Sequence, residues 1–294
     1  MWDKIKALFA QGNSLMRLIY INIGLFVVIK LMIMVLILFN IKGSSLVTFI
    51  ELPSNLNTLL YQPWSVITYM FVHLSFSHIF FNMIALYWFG RIALEYFSEK
   101  QLVGLYILGG IGGATLYLTA YNLFPYFESQ VYNSYLIGAS GAVLAICVAI
   151  ATIAPNYQLR MMLIGNVKLI WLATGMVVIS FLGITGDNAG GEFAHLGGAI
   201  LGYFYALSWK KGKDWSSPVT KVINWFSNLS KPRPKVSTKK PRNFKRGQSD
   251  AEYNRERKRN SENIDTILDK IKRSGYDSLS KEEKQKLFDK SNNG

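Results

Sequence analysis

The chain has 294 residues, of which 50% are hydrophobic, and its mean hydropathy is +0.20. These values exclude an ordinary soluble domain that carries a long polar tail. The formal net charge is +14, and the residues from Lys210 onward hold 23 basic against 11 acidic side chains, so the positive charge is concentrated in the last third of the chain.

Six segments of about 20 residues are strongly apolar and nearly uncharged, which is the length that an α-helix needs to cross roughly 30 Å of hydrocarbon. A helix also satisfies its own backbone hydrogen bonds inside lipid. We therefore predict an all-α membrane protein built as a bundle of six transmembrane helices. The predicted spans are residues 18–40, 73–96, 102–122, 134–153, 167–185 and 191–209.

Charged residues in the predicted connections indicate how the spans are oriented. With six spans, one side of the membrane holds the basic tail together with Lys4, Lys6, Arg17, Arg91, Lys100, Arg160 and Lys168. The opposite side holds Lys42 with Glu51, Glu128, Asp187 and Glu192. Since cytoplasmic loops carry an excess of Lys and Arg, we expect a multi-pass protein of the cell membrane, in this case a bacterial plasma membrane, with both termini in the cytoplasm.

The regions outside the predicted bundle, which covers residues 18–209, differ in character. Residues 1–17 form a predicted amphipathic cytoplasmic segment. Residues 210–260 are rich in Lys, Ser and Pro, and we expect a basic, disordered linker there. Residues 261–294 regain helical periodicity and carry a capping-box pattern from Ser280 to Glu283, which predicts a small cytoplasmic helical hairpin.

Polar residues that could take part in catalysis are concentrated near one end of three predicted spans. The chain has three histidines, His73, His78 and His195, all in or at the edge of apolar segments, where ionisable residues are costly and often functional. His78 and Asn82 are four residues apart and share a helix face. The second, fourth and sixth spans run in the same direction. At 1.5 Å per residue, His78, Ser140 and His195 all lie within roughly 6–15 Å of the outer boundary, so we expect them in one layer.

Ser140 and His195 are the predicted catalytic pair of a serine protease. A serine hydroxyl needs a base to take its proton, and His195 is the base that this layer offers. Gly198 and Gly202 follow at one-turn spacing, and such small residues let helices approach closely in lipid, which brings the Ser140 hydroxyl within reach of the imidazole. Glu192 precedes His195 by three residues, a spacing that allows it to face the ring, but we expect its carboxylate to point to water from a loop. The predicted mechanism is therefore a Ser–His dyad.

Donors for a tetrahedral oxyanion are predicted around the same serine. The candidates are the His78 imidazole, the Asn82 amide and the Ser140 backbone N–H. Gly138 stands two residues before Ser140 and has no side chain, so the substrate backbone can come near. His73 is expected to make a helix–helix hydrogen bond or to orient the loop near the site.

In combination, the motifs His-x4-His-x3-Asn, Gly-x-Ser-Gly and Ala-His-x2-Gly resemble those of the rhomboid family of intramembrane serine proteases, over about residues 60–205. The resemblance implies a rhomboid-like six-helix fold, a dyad without a cofactor, and a cavity open to the outer aqueous side. It also implies substrates that are transmembrane proteins whose spanning helix unwinds locally near small residues. By motif position, the nucleophile is Ser140, the base is His195, and the oxyanion donors are His78 and Asn82.

Two positions depart from the pattern that the resemblance implies. Ser65 follows Trp64 where the family often has arginine, and Leu144 stands where many members carry an aromatic ring that stacks on the histidine. We therefore expect His195 to be positioned by packing, for instance against other aromatic residues. Glu95 matches the family's structural acidic residue at the inner end of the second span.

Three other functions fit parts of the sequence. A non-catalytic relative that binds membrane helices typically lacks the serine or the histidine, whereas this chain has both. A transporter would show internal repeats or broken spans with charged midplane residues. Neither feature is clear in the sequence, and Lys30 is the one candidate for a charged midplane residue. A nucleic-acid binder would interleave aromatic and basic residues, whereas a basic tail beside a membrane domain suits anionic lipid. The expected partners are the lipid bilayer and transmembrane-protein substrates, and no nucleic acid.

Overall fold

The computed structural model describes residues 13–41, 47–161, 165–229 and 250–292. The chain divides into two compact units, Met1–Lys231 and Pro232–Gly294. Most of the predicted N-terminal amphipathic segment, residues 1–12, lies outside the described residues.

Helices make up most of the first unit. Its long helices are α1 (Ser14–Leu38), α4 (Phe76–Ala93), α5 (Glu99–Leu123), α6 (Ser140–Ile153), α7 (Leu169–Leu182) and α8 (Ala189–Lys210). The short helices are α2 (Leu56–Tyr61), α3 (Ser65–Thr68) with the 3-10 turn Tyr69–Phe71 that continues it, the 3-10 turn Pro125–Phe127, and α9 (Ser217–Leu229). Two antiparallel strand pairs complete the unit: β1 (Leu52–Pro53) with β2 (Tyr135–Leu136), and β3 (Gln158–Met161) with β4 (Gly165–Lys168).

The described part of the chain contains two helices that can cross a membrane by length and composition. They are α1 and α5, with mean hydropathies of 2.7 and 1.6. The segments Ser65–Phe71 and Phe76–Ala93 pass the same test together, although the chain bends by 93° between them, and α6 and α7 are shorter apolar helices. The protein is therefore a mostly helical membrane protein with two or three such spans, and the count of six stays a prediction.

Two of the long helices begin later than the sequence predicts. The fourth predicted span starts at residue 134, but Tyr135 and Leu136 pair with β1, and Gly138 has a φ of +109°, which no helix accommodates. The second predicted span starts at residue 73, whereas the helix begins after Ser75, whose side chain caps it by accepting the N–H of His78.

The centre of the first unit is α6, which is buried almost all round. Its residues from Gly141 to Cys147 and from Ala149 to Ala151 are buried, and it contacts α4, α5, α7 and α8. This burial explains why the sequence of α6 is apolar on all sides and has no polar face.

The backbones of α6 and α8 lie against each other along a seam of small residues. A Cβ atom added to Gly198 would collide with the backbone of Gly141, and one added to Gly202 would collide with the backbone of Ala145. The close approach predicted from Gly198 and Gly202 is confirmed.

The prediction of a disordered linker over residues 210–260 is wrong at both ends of that range. Residues 217–229 form α9, and residues from Asp250 onward belong to the next helix. Val219, Val222 and Ile223 recur at helical spacing in α9, so an amphipathic helix forms where overall composition favours a linker. Residues 230–249 lie outside the described residues.

The second unit contains two helices, α10 (Asp250–Ser274) and α11 (Lys281–Asn292). Gly275 ends α10 with a φ of +76°, a conformation that suits glycine. The predicted capping box is present: the Ser280 N–H donates to the Glu283 carboxylate at 2.7 Å, and the Glu283 N–H donates to Ser280 Oγ at 3.3 Å. Lys270 of α10 also donates to the Glu283 carboxylate at 3.0 Å.

The seam makes a prediction about stability. We expect Gly198→Ala to lower the free energy of unfolding by about 1–3 kcal/mol, the usual effect of overpacking a close contact. Gly175→Ala is the matched control, because a Cβ atom there meets nothing within 4 Å and alanine favours a helix over glycine. Thermal unfolding of both variants in one detergent measures the difference. Equal melting temperatures would contradict the role of the seam.

Candidate active site

A cavity of about 830 Å³ opens at the end of the bundle where α4, α6 and α8 begin. Its walls come from the first turns of these helices, the later part of α5, residues 130–137 and the connection before α8. The predicted site residues that line it are His78, Asn82, Ser140 and His195. The structure therefore brings side chains from three separate predicted spans into one layer, as their depths in the sequence indicate.

Ser140 and His195 are in hydrogen-bond contact, with 2.7 Å between Ser140 Oγ and His195 Nε2. Ser140 is the first residue of α6, and His195 lies in the second turn of α8. The seam explains the contact, because a Cβ atom on Gly141 would lie 2.8 Å from the carbonyl oxygen of Ala194. Gly141 and Ala194, the chain neighbours of Ser140 and His195, are thus in close backbone contact, and this brings the side chains of Ser140 and His195 together.

The start of α6 at Ser140 also provides backbone donors. The first four N–H groups of a helix have no acceptor within it and carry a partial positive charge. Because Ser140 is the first residue of α6, its own N–H belongs to this group. A negative charge that develops beside Ser140 is therefore favoured by the helix that bears it.

His78 and Asn82 stand on the α4 wall of the cavity. One hydrogen of the Asn82 amide goes to the His78 carbonyl oxygen, with a donor–acceptor distance of 2.9 Å, and an amide nitrogen has two hydrogens. Asn82 is 7% exposed, and both His78 and Asn82 line the cavity. A second amide hydrogen of Asn82 and the ring of His78 are therefore the hydrogen-bonding groups that α4 contributes to it.

Gly138 lies against the His78 ring. A Cβ atom at this position would be 2.5 Å from His78 Nε2, and the φ of +109° is one that only glycine adopts easily. The Gly138 N–H donates to the Tyr69 carbonyl oxygen at 2.9 Å. Gly138 therefore makes room for the imidazole and turns the chain into α6.

His73 supports the loop that precedes Ser140. It is fully buried, and its Nε2 accepts the Ala139 N–H at 3.4 Å. Its ring meets the His78 ring edge to face, with 4.9 Å between centroids. Of the two roles expected for His73, the structure favours the orientation of the loop near the site.

The expectation that Glu192 points to water from a loop is wrong. Helix α8 begins at Ala189, two residues before the predicted span, so Glu192 is in its first turn and shares a face with His195. Glu192 Oε2 lies 3.1 Å from His195 Nδ1. The i, i+3 spacing of the two residues was the available signal, and the predicted span of residues 191–209 already placed both of them in one helix.

Ser180 is a site residue that the sequence reasoning missed. Its Oγ lies 3.0 Å from His195 Nδ1, and it belongs to α7. A lone serine within an apolar segment carries no pattern that distinguishes it from packing material. The positioning of His195, expected from packing, thus includes polar contacts with Ser180 and Glu192.

A second, apolar cavity reaches the same pair from the side. It has a volume of about 320 Å³ and lies between α4 and α7. Its exposed surface is mostly apolar, from Phe81, Ala85, Val143, Leu144, Met176 and Ile179, and the polar residues that line it are Asn82, Ser140, Ser180, Glu192 and His195. The reactive pair is therefore reached both from a polar cavity and from an apolar one.

Comparison with known proteins finds two families in the chain. The rhomboid domain family matches residues 61–211, and a family of unknown function (DUF6576) matches residues 248–293. The second match coincides with the helices α10 and α11.

Individual relatives are similar over the same region. RHOMBOID-like protein 12, mitochondrial, of Arabidopsis thaliana is 30% identical over 156 residues, which is 50% of this chain and 46% of that protein. Rhomboid protease AarA of Providencia stuartii is 27% identical over 156 residues, which is 50% of this chain and 56% of AarA. Rhomboid protease GluP of Bacillus subtilis (strain 168) is 25% identical over 191 residues, which is 63% of this chain and 34% of GluP. The chain thus spans between a third and just over half of the length of these curated relatives.

The fit of His78 against Gly138 makes a prediction about stability. We expect Gly138→Ala to cost about 1–3 kcal/mol of unfolding free energy, from a strained backbone and from displacement of the His78 ring. Gly212→Ala is the matched control, because Gly212 also has a positive φ, +74°, but a Cβ atom there meets nothing within 4 Å. A larger drop in melting temperature for Gly138→Ala is expected, and an equal drop for both variants would contradict the contact with His78.

Proposed function

This chain belongs to the rhomboid family, and from that premise we propose that it is an intramembrane serine endopeptidase. It hydrolyses peptide bonds in or near the transmembrane helices of membrane-protein substrates. The observation that carries the proposal is the 2.7 Å contact between Ser140 Oγ and His195 Nε2 inside a cavity at one end of the bundle. The relatives AarA and GluP are named rhomboid proteases, which supports the same activity.

In the first step, Ser140 attacks the substrate. Its Oγ–H proton passes to Nε2 of His195 while Oγ bonds to the carbonyl carbon of the scissile peptide, whose C=O double bond becomes a C–O⁻ single bond. A serine needs such a base because its hydroxyl is a poor nucleophile. When the tetrahedral intermediate collapses, the C–N bond breaks, and the leaving amine takes the proton from Nε2. The products of this step are an acyl-enzyme and the released amine fragment.

The negative oxygen of the intermediate is stabilised by the donors around Ser140. These are the Ser140 N–H at the start of α6, the free hydrogen of the Asn82 amide and an N–H of the His78 ring. These donors stabilise the charged oxygen of the intermediate more than the neutral carbonyl oxygen of the substrate, because preorganised donors act most strongly where charge develops. Gly138 leaves the substrate backbone room to reach them.

In the second step, water releases the acyl fragment. A water molecule from the cavity of about 830 Å³ loses one proton to His195 Nε2, and its oxygen bonds to the acyl carbon. The bond from the acyl carbon to Ser140 Oγ breaks, and Oγ regains the proton from Nε2. Polar cavity walls are a requirement of this step, because hydrolysis inside lipid needs a store of water.

The second cavity is the proposed route of the substrate. Its apolar lining between α4 and α7 suits an apolar side chain of a transmembrane segment, which reaches Ser140 without leaving a low-dielectric environment. We place six spans in a bacterial plasma membrane, with the cavity on the outer side and both termini in the cytoplasm. These placements follow the positive-inside rule.

A fluorophosphonate probe tests the catalytic pair. We expect the purified wild-type protein to be labelled covalently, and we expect Ser140→Ala and His195→Ala to abolish labelling, because the first lacks the nucleophile and the second its base. Ser129→Ala is the control, since Ser129 is exposed in a turn. In-gel fluorescence after equal labelling times gives the measurement. Wild-type protein that is folded yet unlabelled would point to a helix-binding scaffold, and labelling of Ser140→Ala would refute the nucleophile.

Removing an oxyanion donor tests the stabilisation of the intermediate. We expect His78→Ala and Asn82→Ala each to lower turnover of a transmembrane peptide by about 100- to 1000-fold, which corresponds to about 2.7–4 kcal/mol. Asn166→Ala is the matched control, since Asn166 is exposed in β4. Melting temperatures establish that each variant is folded. Full activity of either site variant rules out its donor role.

A further inference from the structure

A carboxylate lies beside His195 on the side of the ring opposite Ser140. Nε2 contacts Ser140 Oγ at 2.7 Å, and Nδ1 lies 3.1 Å from Glu192 Oε2. The three side chains therefore form one hydrogen-bonded row. We propose, on the basis of the proteolytic function proposed above, that Glu192 is a positioning residue that holds His195 in the tautomer and orientation that Ser140 requires.

The start of α8 places Glu192 within reach of the ring. The helix begins at Ala189, so Glu192 lies in the first turn and His195 follows three residues later on the same face. An acidic side chain in the first turn also interacts favourably with the helix dipole. The contact thus follows from regular helix geometry and requires no distortion of the backbone.

Other groups confine the Glu192 side chain on its far side. Asn188 Nδ2 lies 3.5 Å from Glu192 Oε1, and a Cβ atom on Gly183 would lie 2.9 Å from Glu192 Cγ. The side chains of His195 and Glu192 are 21% and 18% exposed. Ion pairs that are freely solvated contribute little, whereas this carboxylate is mostly withdrawn from water and supported on both oxygens.

Ser180 is the competing neighbour of Nδ1, with its Oγ at 3.0 Å. A hydroxyl both donates and accepts, so Ser180 is compatible with either tautomer of the ring. An ionised carboxylate only accepts, and its hydrogen bonds are stronger than those of neutral groups. Glu192 therefore requires the hydrogen on Nδ1, and this arrangement leaves the lone pair of Nε2 free to take the proton of Ser140.

The carboxylate also acts when the ring becomes charged. Transfer of the Ser140 proton to Nε2 makes His195 an imidazolium, while Glu192 remains ionised and attracts it across 3.1 Å. The proton then leaves Nε2 for the departing amine, so Glu192 takes no proton at any step. The other titratable side chains around the cavity are His78 of α4, Tyr117 and Tyr121 of α5, Tyr135 of β2, and Asp187 of the connection before α8.

Glu192→Gln tests the proposal, because glutamine keeps the size and an acceptor oxygen but removes the charge. We measure the second-order rate constant of fluorophosphonate labelling for full-length protein in detergent between pH 4 and pH 9. At neutral pH this rate constant is expected to fall about 10- to 100-fold, the usual effect of losing a charge-assisted hydrogen bond. The acid limb of the pH profile is expected to move to lower pH, because without the carboxylate the ring is protonated less readily and stays neutral in more acidic solution.

Three further variants separate positioning from structure. Glu192→Asp keeps the charge and is expected to recover part of the rate and the wild-type acid limb. Ser180→Ala is expected to lower the rate less than Glu192→Gln and to leave the acid limb in place. Glu128→Gln makes the same chemical change at an exposed outer position and is expected to match wild type. Melting temperatures are measured for all, and if Glu192→Gln unfolds, the rate of Glu192→Asp decides, because a full wild-type rate with the carboxylate drawn back by one methylene group would overturn the positioning role.

The outcomes distinguish this inference from the function on which it rests. If wild type and Ser140→Ala are both unlabelled, the proteolytic function fails. If wild type is labelled and Glu192→Gln shows the same labelling rate and pH profile as wild type, Glu192 has no positioning role, and the proposed proteolytic function is unaffected. A larger loss and a displaced acid limb in Ser180→Ala would assign the role to Ser180 and overturn the inference.

Discussion

The contact between the backbones of α6 and α8 is the constraint on which the proposed site depends. Helices that carry ordinary side chains stand 8–10 Å apart, and a side chain between α6 and α8 at this level would force the two backbones apart and shift Ser140 relative to His195. Gly141 and Gly198 remove that separation at the level of the reactive residues. Because α6 is buried on nearly all sides, its position is set by several neighbours at once. The Ser140–His195 distance is therefore a property of the bundle, and no local loop determines it.

Peptide hydrolysis within a membrane has two opposed requirements, which the two cavities meet separately. Water and a developing oxyanion need polar surroundings, and the walls near His78 and Asn82 supply them. A transmembrane substrate needs an apolar approach, and the lining between α4 and α7 supplies that. Ser140 and His195 line both cavities, which places the proposed chemistry at their junction.

The Glu192 contact shows how an acidic residue functions at the edge of a low-dielectric region. A buried carboxylate without partners is costly, and Glu192 avoids this cost through His195 on one oxygen and Asn188 on the other. Both side chains also remain partly exposed, His195 to 21% and Glu192 to 18%, which limits their desolvation. Beyond the residues that match the rhomboid domain family, α9 belongs to the first unit and contacts α5, and the second unit matches a family of unknown function.

The sequence by itself determined the helical membrane class, the tail's charge and the small-residue seam, and it predicted Ser140, His195, His78 and Asn82 as the site, because each leaves a local pattern of hydropathy, charge or spacing. Tertiary structure alone decided the contacts of Glu192 and Ser180 with His195. Ser180 comes from a different helix, and its proximity to His195 depends on how α7 and α8 pack, which no local pattern encodes. Glu192 and His195 both lie within the predicted span of residues 191–209, so the sequence offered their shared helix face but left the direction of the carboxylate open. That direction is set by His195 and Asn188 at its two oxygens and by the close approach of Gly183 from the end of α7, contacts that form only in the folded structure.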